Sequence, residues 1–282
     1  MEVFRICGGP PLKGTVNISG SKNAALPEFA ATLLSPETST LKNVPDLSDV
    51  QFMAEILSEL GAQVERIDRT TWKINPKNIA HRAPYELVRK MRASICLLGP
   101  LVGRLRMAEI PMPGGCVIGQ RPIDLHIKAL ECLGATIELE KGIVKVNGQN
   151  LKGSKIFLGG RHGSTVTGTT NAIMAAVLAP GITKIESSAC EPEIIDLCKM
   201  LIKMGAKING TGSHILEIEG VSKLNGCTHE VMPDRIEAAT YAIAAAITEG
   251  EIILNNARAE HLGSFINVMQ ESGVMIEAFS SN

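Results

Sequence analysis

One pattern of hydrophobic and polar positions recurs four times along the chain. Each copy opens with a helix of small apolar residues, continues through a short β-like run into an amphipathic helix, and reaches a glycine. These glycines, 73, 71 and 68 residues apart, are Gly61, Gly134, Gly205 and Gly273. A glycine directly after an amphipathic helix predicts a helix C-cap. A strand hairpin follows each of the first three, so the sequence predicts a repeated unit of helix, strand, helix and hairpin.

The two helices of the unit differ in their polar faces. The second is amphipathic, and its predicted buried face comprises Met53, Ile56, Leu57 and Leu60 in the first copy and Ile194, Cys198, Leu201 and Met204 in the third. The first is apolar nearly all round, as in AATYAIAAAIT (238–248), and too short to cross a bilayer. We therefore expect the first helices to be buried on every side, with strands outside. A doubly wound sheet with helices outside is the alternative.

The fourth copy ends with MQESGVMIEAFSSN (269–282), where the other three continue into a hairpin. A repeat that lacks its hairpin leaves apolar faces uncovered, so we expect such faces within 236–277 to be exposed. The sequence thus predicts one complete domain and a second that is incomplete.

Composition excludes several classes of function. With a net charge of −1, the chain has no excess of positive charge that would favour binding to nucleic acid or an anionic membrane. The N-terminus has no apolar signal region, and no apolar run is long enough for a membrane helix. The seven cysteines form no CxxC pair and no cluster at zinc spacing, which is typical of a reducing cytoplasm. We expect a cytoplasmic protein with no metal and no cofactor.

Positive charge recurs near the start of the apolar helices, at Lys22, Arg92, Arg161 and Arg235. Helix N-termini already carry partial positive charge, so a cation there is unfavourable unless an anion is bound. The repetition favours an anionic ligand. The alternative is that these side chains reach solvent or pair with acids such as Asp234 and Glu237.

Two loops carry candidate chemistry. RHGSTVTGTT (161–170) resembles a phosphate cradle, but it lacks the GK[ST] of a nucleotide-hydrolysing loop. PMPGGCVIGQRPIDLH (111–126) places Cys116 in a Pro-Gly-Gly loop with Arg121 five residues later. A nearby cation lowers a thiol pKa, which suits a general acid. Within this motif, Asp124 and His126 are expected to fix the loop or cap the following helix.

With these motifs in view, the chain resembles the UDP-N-acetylglucosamine enolpyruvyl transferases. The resemblance covers almost the whole chain and is carried by GTVNISGSKNAALP (14–27), MRASICLLGPLVGR (91–104), PGGCVIGQRPIDLH (113–126), EPEIIDL (191–197) and MPDRIEAAT (232–240). It implies an α/β fold of two domains, each built of three repeats packed as an inside-out barrel of buried helices surrounded by sheets. Residues 22–229 would form the first domain, and 1–21 with 230–282 part of the second.

The resemblance also implies a reaction and its residues. The enolpyruvyl group of phosphoenolpyruvate would pass to the 3-hydroxyl of UDP-N-acetylglucosamine, with release of phosphate, as the first step of peptidoglycan synthesis. Cys116 would donate a proton to the methylene and be the target of fosfomycin. Lys22 and Arg121 would hold the phosphate, and Asn23 the tetrahedral intermediate. The UDP-sugar would contact Arg92, Arg121, Pro122, Ile123, Asp124, Leu125, Arg161, His162, Gly163 and Ser164.

The chain departs from the family in two respects. GGRHGST (159–165) replaces the run that many members have, and the family's catalytic aspartate and several phosphate-binding arginines have no matching position. The sequence therefore predicts a poor catalyst when this chain acts alone. Two other functions stay open, namely the shikimate-pathway enolpyruvyl transferase and a UDP-sugar-binding protein without catalysis.

Overall fold

The structure is a computed structural model that describes residues 3, 5, 7–112, 114, 122–161 and 163–279 of the 282. Contacts divide the chain into two units. The main unit is Lys22–Met232, and the small unit combines Met1–Ser21 with Pro233–Asn282.

The helices of the described residues follow the repeat. In the main unit the α-helices are α1 (Lys22–Thr32), α2 (Ser48–Glu59), α3 (Tyr85–Val88), α4 (Leu98–Leu105), α5 (Asp124–Cys132), α6 (Val166–Ala176) and α7 (Pro192–Lys203). The small unit contains α8 (Arg235–Ile247) and α9 (Gly263–Glu271). Two 3-10 helices are Arg92–Leu97, which runs directly into α4, and Ala259–His261.

The strands are short. Those of the small unit are β1 (Lys13–Asn17) and β15 (Glu251–Asn255). Those of the main unit are β2 (Ser39–Lys42), β3 (Gln63–Arg66), β4 (Trp72–Asn75), β5 (Met107–Pro111), β6 (Thr136–Glu140), β7 (Ile143–Asn147), β8 (Lys155–Phe157), β9 (Gly159–Gly160), β10 (Gly163–Ser164), β11 (Ile182–Glu186), β12 (Lys207–Asn209), β13 (Ile215–Glu219) and β14 (Thr228–Glu230).

The predicted helix C-caps at glycine are confirmed in all four copies. Their φ angles are 103° at Gly61, 93° at Gly134, 103° at Gly205 and 86° at Gly273, which is the left-handed region that glycine enters without a steric penalty. After α2, the Gly61 amide donates to the carbonyl of Ser58 and the Ala62 amide to that of Leu57. The other three copies repeat this pair of bonds, so each second helix ends in the same C-cap.

Buried helices form the core of the main unit. Eight of the eleven residues of α1 and nine of the eleven of α6 are buried. The strands alternate instead, as in β13, where buried and exposed side chains take turns along the strand. Helices therefore lie inside and strands outside, as predicted, and the doubly wound alternative is wrong. The predicted buried faces of α2 and α7 are also confirmed.

Three sheets surround these helices in the main unit. Their strand orders are β14-β2-β4-β3, β5-β7-β6 and β12-β13-β11-β8. Each contains the antiparallel hairpin of one repeat, and the strand that precedes the hairpin in the sequence pairs with the second strand of the hairpin. In the first sheet, for example, Leu41 of β2 pairs with Trp72 of β4. The second helix of each repeat contacts a strand of its own hairpin, α2 with β3, α5 with β6 and α7 with β12.

The small unit departs from one prediction. Strands β1 and β15 pair in parallel from Lys13 and Glu251 to Asn17 and Asn255. Helix α8 packs against β15, but Ile236, Tyr241, Ile243 and Ile247 are exposed. The expectation that every first helix is buried on all sides is therefore wrong for α8, whereas the expected exposure of apolar faces within 236–277 is confirmed. In the described part of the chain, no helix is long and apolar enough to cross a membrane.

Candidate functional site

The start of α1 presents the first pair of predicted site residues. Lys22 is the first residue of the helix, and its ammonium lies 2.9 Å from a carboxylate oxygen of Asp49 in the first turn of α2. Asn23 follows with an exposed side chain. Since Lys22 adds a cation where the helix already carries partial positive charge, Asp49 offsets the repulsion and fixes the lysine. An ion pair this exposed contributes little to stability, so the lysine can exchange Asp49 for another anion.

Arg92 and the start of α5 supply the second group. Arg92 is the first residue of the 3-10 helix that continues into α4. Pro122 and Ile123 lead into α5, whose first residues are Asp124 and Leu125. Pro122 and Asp124 are exposed, whereas Ile123 is buried and anchors the helix start. The exposed groups of this segment are thus available to a ligand.

The third group lies on a hairpin before α6. Gly163 and Ser164 of β10 pair with Gly160 and Gly159 of β9, and Arg161 occupies the turn between the two strands. Arg161 therefore precedes α6 by five residues and does not open it, contrary to the predicted pattern. Thr165 caps this helix instead, its hydroxyl accepting from the amide of Gly168. Three other predicted site residues, Cys116, Arg121 and His162, lie outside the described residues.

A buried polar cluster ties the second and third groups together. Asn171 of α6 donates from its side-chain amide to the carbonyl of Ile95 at 2.9 Å and to Nδ1 of His126 at 2.8 Å. Its side-chain oxygen accepts from the amide of Gly99 at 2.7 Å. Because Nδ1 of His126 accepts, its Nε2 carries the hydrogen and donates to the hydroxyl of Thr167 at 3.1 Å. Asn171 thus uses all its hydrogen-bonding groups to join α4, α5 and α6.

This cluster fixes where the exposed site residues lie. His126 belongs to the first turn of α5, one residue after Leu125, and Thr167 to the first turn of α6, just after the hairpin. Burial lowers the pKa of His126, and the nearby charge of Arg92 lowers it further. The starts of these helices and a guanidinium therefore lie together, an arrangement suited to a phosphate or another anion.

Sequence reasoning missed Asp49, Thr167 and Asn171. An acidic residue in the first turn of α2 was a visible signal for Asp49. Thr167 was part of the segment 161–170 taken as a phosphate cradle, and Asn171 directly follows that segment. The structure places both in α6, where Asn171 is fully buried. Their partners are 41 and more residues away in the sequence, so no local pattern identified them.

The free energy of unfolding should depend on pH through His126. Burial, together with the charge of Arg92, lowers the pKa of His126 to about 4 against the opposing effect of Asp124. An unfolded histidine takes up its proton near pH 6.5, so the unfolded chain binds the extra proton between these values. The stabilising contribution of neutral His126 is complete above about pH 6.5 and is lost towards pH 4, by about 3 kcal/mol in total.

The comparison is urea unfolding of wild type and His126→Gln at pH values from 4 to 7. Only the difference between the two curves reports on His126, since carboxylates titrate in the same range. We expect a shallower loss of stability in His126→Gln and an unchanged slope in the control His81→Gln, whose side chain is exposed. Equal slopes in all three proteins would contradict this assignment.

Comparison with known proteins identifies the family. The sequence profile of the family described as EPSP synthase (3-phosphoshikimate 1-carboxyvinyltransferase) matches residues 6–281. Two curated relatives, both called UDP-N-acetylglucosamine 1-carboxyvinyltransferase, come from Methylacidiphilum infernorum and Akkermansia muciniphila. They are 54% and 49% identical to this chain over 98% of its length. The chain spans 66% and 65% of their lengths. The resemblance predicted from the motifs is confirmed.

Solved structures show the same fold. The enolpyruvyl transferase NikO from Streptomyces tendae superposes with a TM-score of 0.74 at 22% identity, covering 83% of this chain and 55% of its own. An EPSP synthase from Acinetobacter baumannii gives 0.73 at 20% identity, covering 94% of this chain and 60% of its own. Helices inside and sheets outside are therefore the architecture of enolpyruvyl transferases, and the chain belongs to the EPSP synthase family.

Proposed function

We propose that this chain supplies the UDP-sugar-binding part of a cytoplasmic enzyme that transfers the enolpyruvyl group of phosphoenolpyruvate to the 3-hydroxyl of UDP-N-acetylglucosamine. The observation that carries the proposal is the identity of about half of all residues, across 98% of the chain, with relatives of that name. The reaction opens peptidoglycan synthesis, and with it wall growth, cell shape and division. Shikimate 3-phosphate is the weaker candidate, because the solved EPSP synthase is only 20% identical.

The proposed mechanism proceeds by addition and elimination. The 3-hydroxyl of the sugar attacks C2 of phosphoenolpyruvate while Cys116 gives a proton to C3, which becomes a methyl group. The hydroxyl proton passes to the family's catalytic aspartate, which has no matching position in this chain. The resulting tetrahedral intermediate is held by Asn23. Loss of a proton from C3 and departure of phosphate then restore the double bond in the product. Lys22 and Arg121 stabilise the phosphate as negative charge shifts onto it.

Contacts of the described residues support the assignment of the phosphate and the UDP-sugar to different groups of residues. Lys22 is fixed by Asp49 at the start of α1, with Asn23 exposed beside it, so both are available to the phosphate and the intermediate. The UDP-sugar is assigned to the second and third groups, from Arg92 through the start of α5 to the hairpin, which His126 and Asn171 hold together. Its diphosphate takes the guanidinium of Arg92 as counter-charge, and Arg161, His162, Gly163 and Ser164 complete the contacts.

We also propose that residues 22–229 form the first domain of the enzyme, with 1–21 and 230–282 contributing to the second. The division of contacts at Ser21 and Pro233 supports boundaries near these positions. Closure of two domains around the substrates would exclude water from the reaction.

Calorimetric titration with UDP-N-acetylglucosamine, UDP and shikimate 3-phosphate tests the proposal. We expect one equivalent of the UDP-sugar to bind more tightly than UDP and no binding of shikimate 3-phosphate. Phosphate release from phosphoenolpyruvate is then measured with and without UDP-N-acetylglucosamine. It should require the sugar and be slow, because the family's catalytic aspartate has no matching position in this chain. Binding of shikimate 3-phosphate in place of the UDP-sugar would overturn the proposal.

Cys116 should be the thiol that fosfomycin alkylates. The competing thiols of Cys96 and Cys198 are buried, and burial raises the pKa of each to about 12, so their reactive thiolate forms are scarce. Cys7 is exposed and serves as the internal reference for non-specific reaction. Peptide mapping after limiting fosfomycin should give one adduct, on Cys116, and more of it with UDP-N-acetylglucosamine present. Adducts confined to Cys7, Cys96 or Cys198 would refute this role.

A further inference from the structure

A buried cluster of ionisable side chains lies away from the groups described above. Glu28 of α1, Asp196 of α7 and His229 of β14 bring one ligand atom each within 4.8 Å of the others. Nε2 of His229 is 3.4 Å from a carboxylate oxygen of Glu28 and 3.4 Å from one of Asp196. All three residues are buried in the main unit.

Glu28 lacks a hydrogen bond of normal geometry in this position. Its side chain is 0% exposed, and neither its two carboxylate oxygens nor Nε2 of His229, 3.4 Å from one of them, forms such a bond. Native proteins seldom leave such groups unsatisfied, since each costs about 1–3 kcal/mol or more when charged. The sequence offers no reason for a carboxylate here, because leucine or methionine would fill the same core position.

We propose that Glu28, Asp196 and His229 bind a divalent transition metal, with zinc as the best fit. Nε2 of His229 is 3.4 Å from each of the two carboxylate oxygens, which is the edge of a tetrahedron around an ion about 2.1 Å from its ligands. That is the usual distance of zinc from imidazole nitrogen and carboxylate oxygen. The two carboxylates balance the charge of the ion and a neutral histidine completes the set. The second oxygen of Glu28 or a water would occupy the fourth position.

The geometry favours a metal over a direct ion pair. Charge-assisted hydrogen bonds between imidazolium and carboxylate are about 2.7–2.9 Å long, and both contacts here are longer. An ion between the three groups removes this difficulty, because metal–ligand bonds replace the long contacts.

Two neighbours determine how the ligands are held. Asp196 accepts a hydrogen bond from the amide of Met232 at 2.9 Å, which orients its carboxylate. Lys203 lies with its ammonium 3.3 Å from Nδ1 of His229. When Nε2 binds the metal, Nδ1 carries the hydrogen of the neutral ring, so Lys203 has to turn away. Its side chain is exposed and can do so. Replacing it with methionine should therefore tighten metal binding.

The ion would have a structural role. It would join α1, which begins at Lys22, to α7 and to strand β14 at the edge of its sheet. A ligand that binds only the folded state stabilises it in proportion to the logarithm of its concentration over Kd. At zinc a hundredfold above Kd, the melting temperature of a unit of this size should rise by about 5–10 °C.

The test uses the purified chain after chelation and dialysis. Zinc is added, and its stoichiometry is measured by competition with a chromophoric chelator, alongside the melting temperature. Glu28→Gln and His229→Gln keep the size of each side chain, and Glu28→Gln also removes the buried charge, so it should fold. Cys227→Ser is the matched control, since Cys227 lies two residues from His229 and is influenced by the charge of Glu28. Cobalt replaces zinc in a parallel absorption measurement.

We expect one tight equivalent of zinc in wild type and Cys227→Ser, and a weakening of about tenfold or more in Glu28→Gln and His229→Gln. The cobalt spectrum should show no thiolate charge-transfer band. Lys203→Met should bind more tightly than wild type. The proposal is overturned when zinc leaves the melting temperature of wild type unchanged, when Glu28→Gln binds as well as wild type, or when cobalt gives a thiolate spectrum.

Discussion

Lys22→Ala should weaken the binding of phosphoenolpyruvate, measured in the presence of UDP-N-acetylglucosamine, by about 10- to 150-fold. This is the loss expected when one charge-assisted hydrogen bond to a phosphate is removed. Lys22 lies partly exposed at the first residue of α1, so the substitution removes no core packing. Arg92→Ala should weaken the UDP-sugar to a similar degree. Calorimetric titration gives both affinities, and thermal melts should show each variant folded.

Two further variants separate the charge from its position. Asp49→Asn keeps Lys22 but removes the partner that fixes it, so affinity should fall less than in Lys22→Ala. Lys73→Ala removes an exposed lysine from β4 and should change nothing. Unchanged affinity in both Lys22→Ala and Arg92→Ala would show that these residues do not serve a common anion site.

Asn171→Ala should cause the largest loss of stability, about 3–5 kcal/mol. The substitution leaves the amide of Gly99 and the carbonyl of Ile95 buried without partners and removes the donor to His126. Water cannot easily replace the side chain, because a single Cβ on Gly99 would lie 2.6 Å from the carbonyl oxygen of Asn171. The helices approach too closely there for rearrangement.

The melting temperature of the main unit should fall by about 6–20 °C in this variant. Fluorescence of Trp72, the only tryptophan of the chain, reports on that unit because the residue is buried in β4. Asn150→Ala, at an exposed position after β7, should stay within about 0.5 kcal/mol of wild type. A loss below 1 kcal/mol in Asn171→Ala would mean that its hydrogen bonds are not structural.

The sequence predicted the parts of the fold that depend on local signals. The glycines after α2, α5, α7 and α9 and the apolar faces of the second helices are set by residues within one or two turns. The pattern of small apolar residues also predicted helices inside the sheets, which holds for α1, α4 and α6.

Exposure of α8 was predicted from the repeat and not from the helix itself. Its composition resembles that of the buried α6, and only the missing hairpin of the fourth copy indicated that an apolar face is left uncovered. Arg161 shows a related limit, because the number of residues between a loop and the helix it precedes is set by turn geometry. Helix α6 is capped by Thr165 instead, a residue type suited to the N-cap position.

The basic residues of the candidate site came from their recurrence near helix starts and from the motifs, and their role in binding stays a prediction. Asp49, Asn171 and Glu28 were missed. Each has a partner on another element. Asp49 is 27 residues from Lys22, and Glu28 is 168 residues from Asp196. Glu28 in particular lies in a segment that reads as apolar, and only the fold places it opposite Asp196 and His229.

Because the apolar face of α8 is exposed, the small unit has little core of its own. One free energy of unfolding therefore does not describe this chain. Buried hydrophobic side chains of the small unit, among the residues described, are Ile18, Ala238 and Ala245. The main unit contains nearly all of the remaining core, so the two units have different resistance to heat and denaturant. Calorimetry should then give an enthalpy larger than the van't Hoff value from Trp72, because the optical signal follows one unit while heat is absorbed by both.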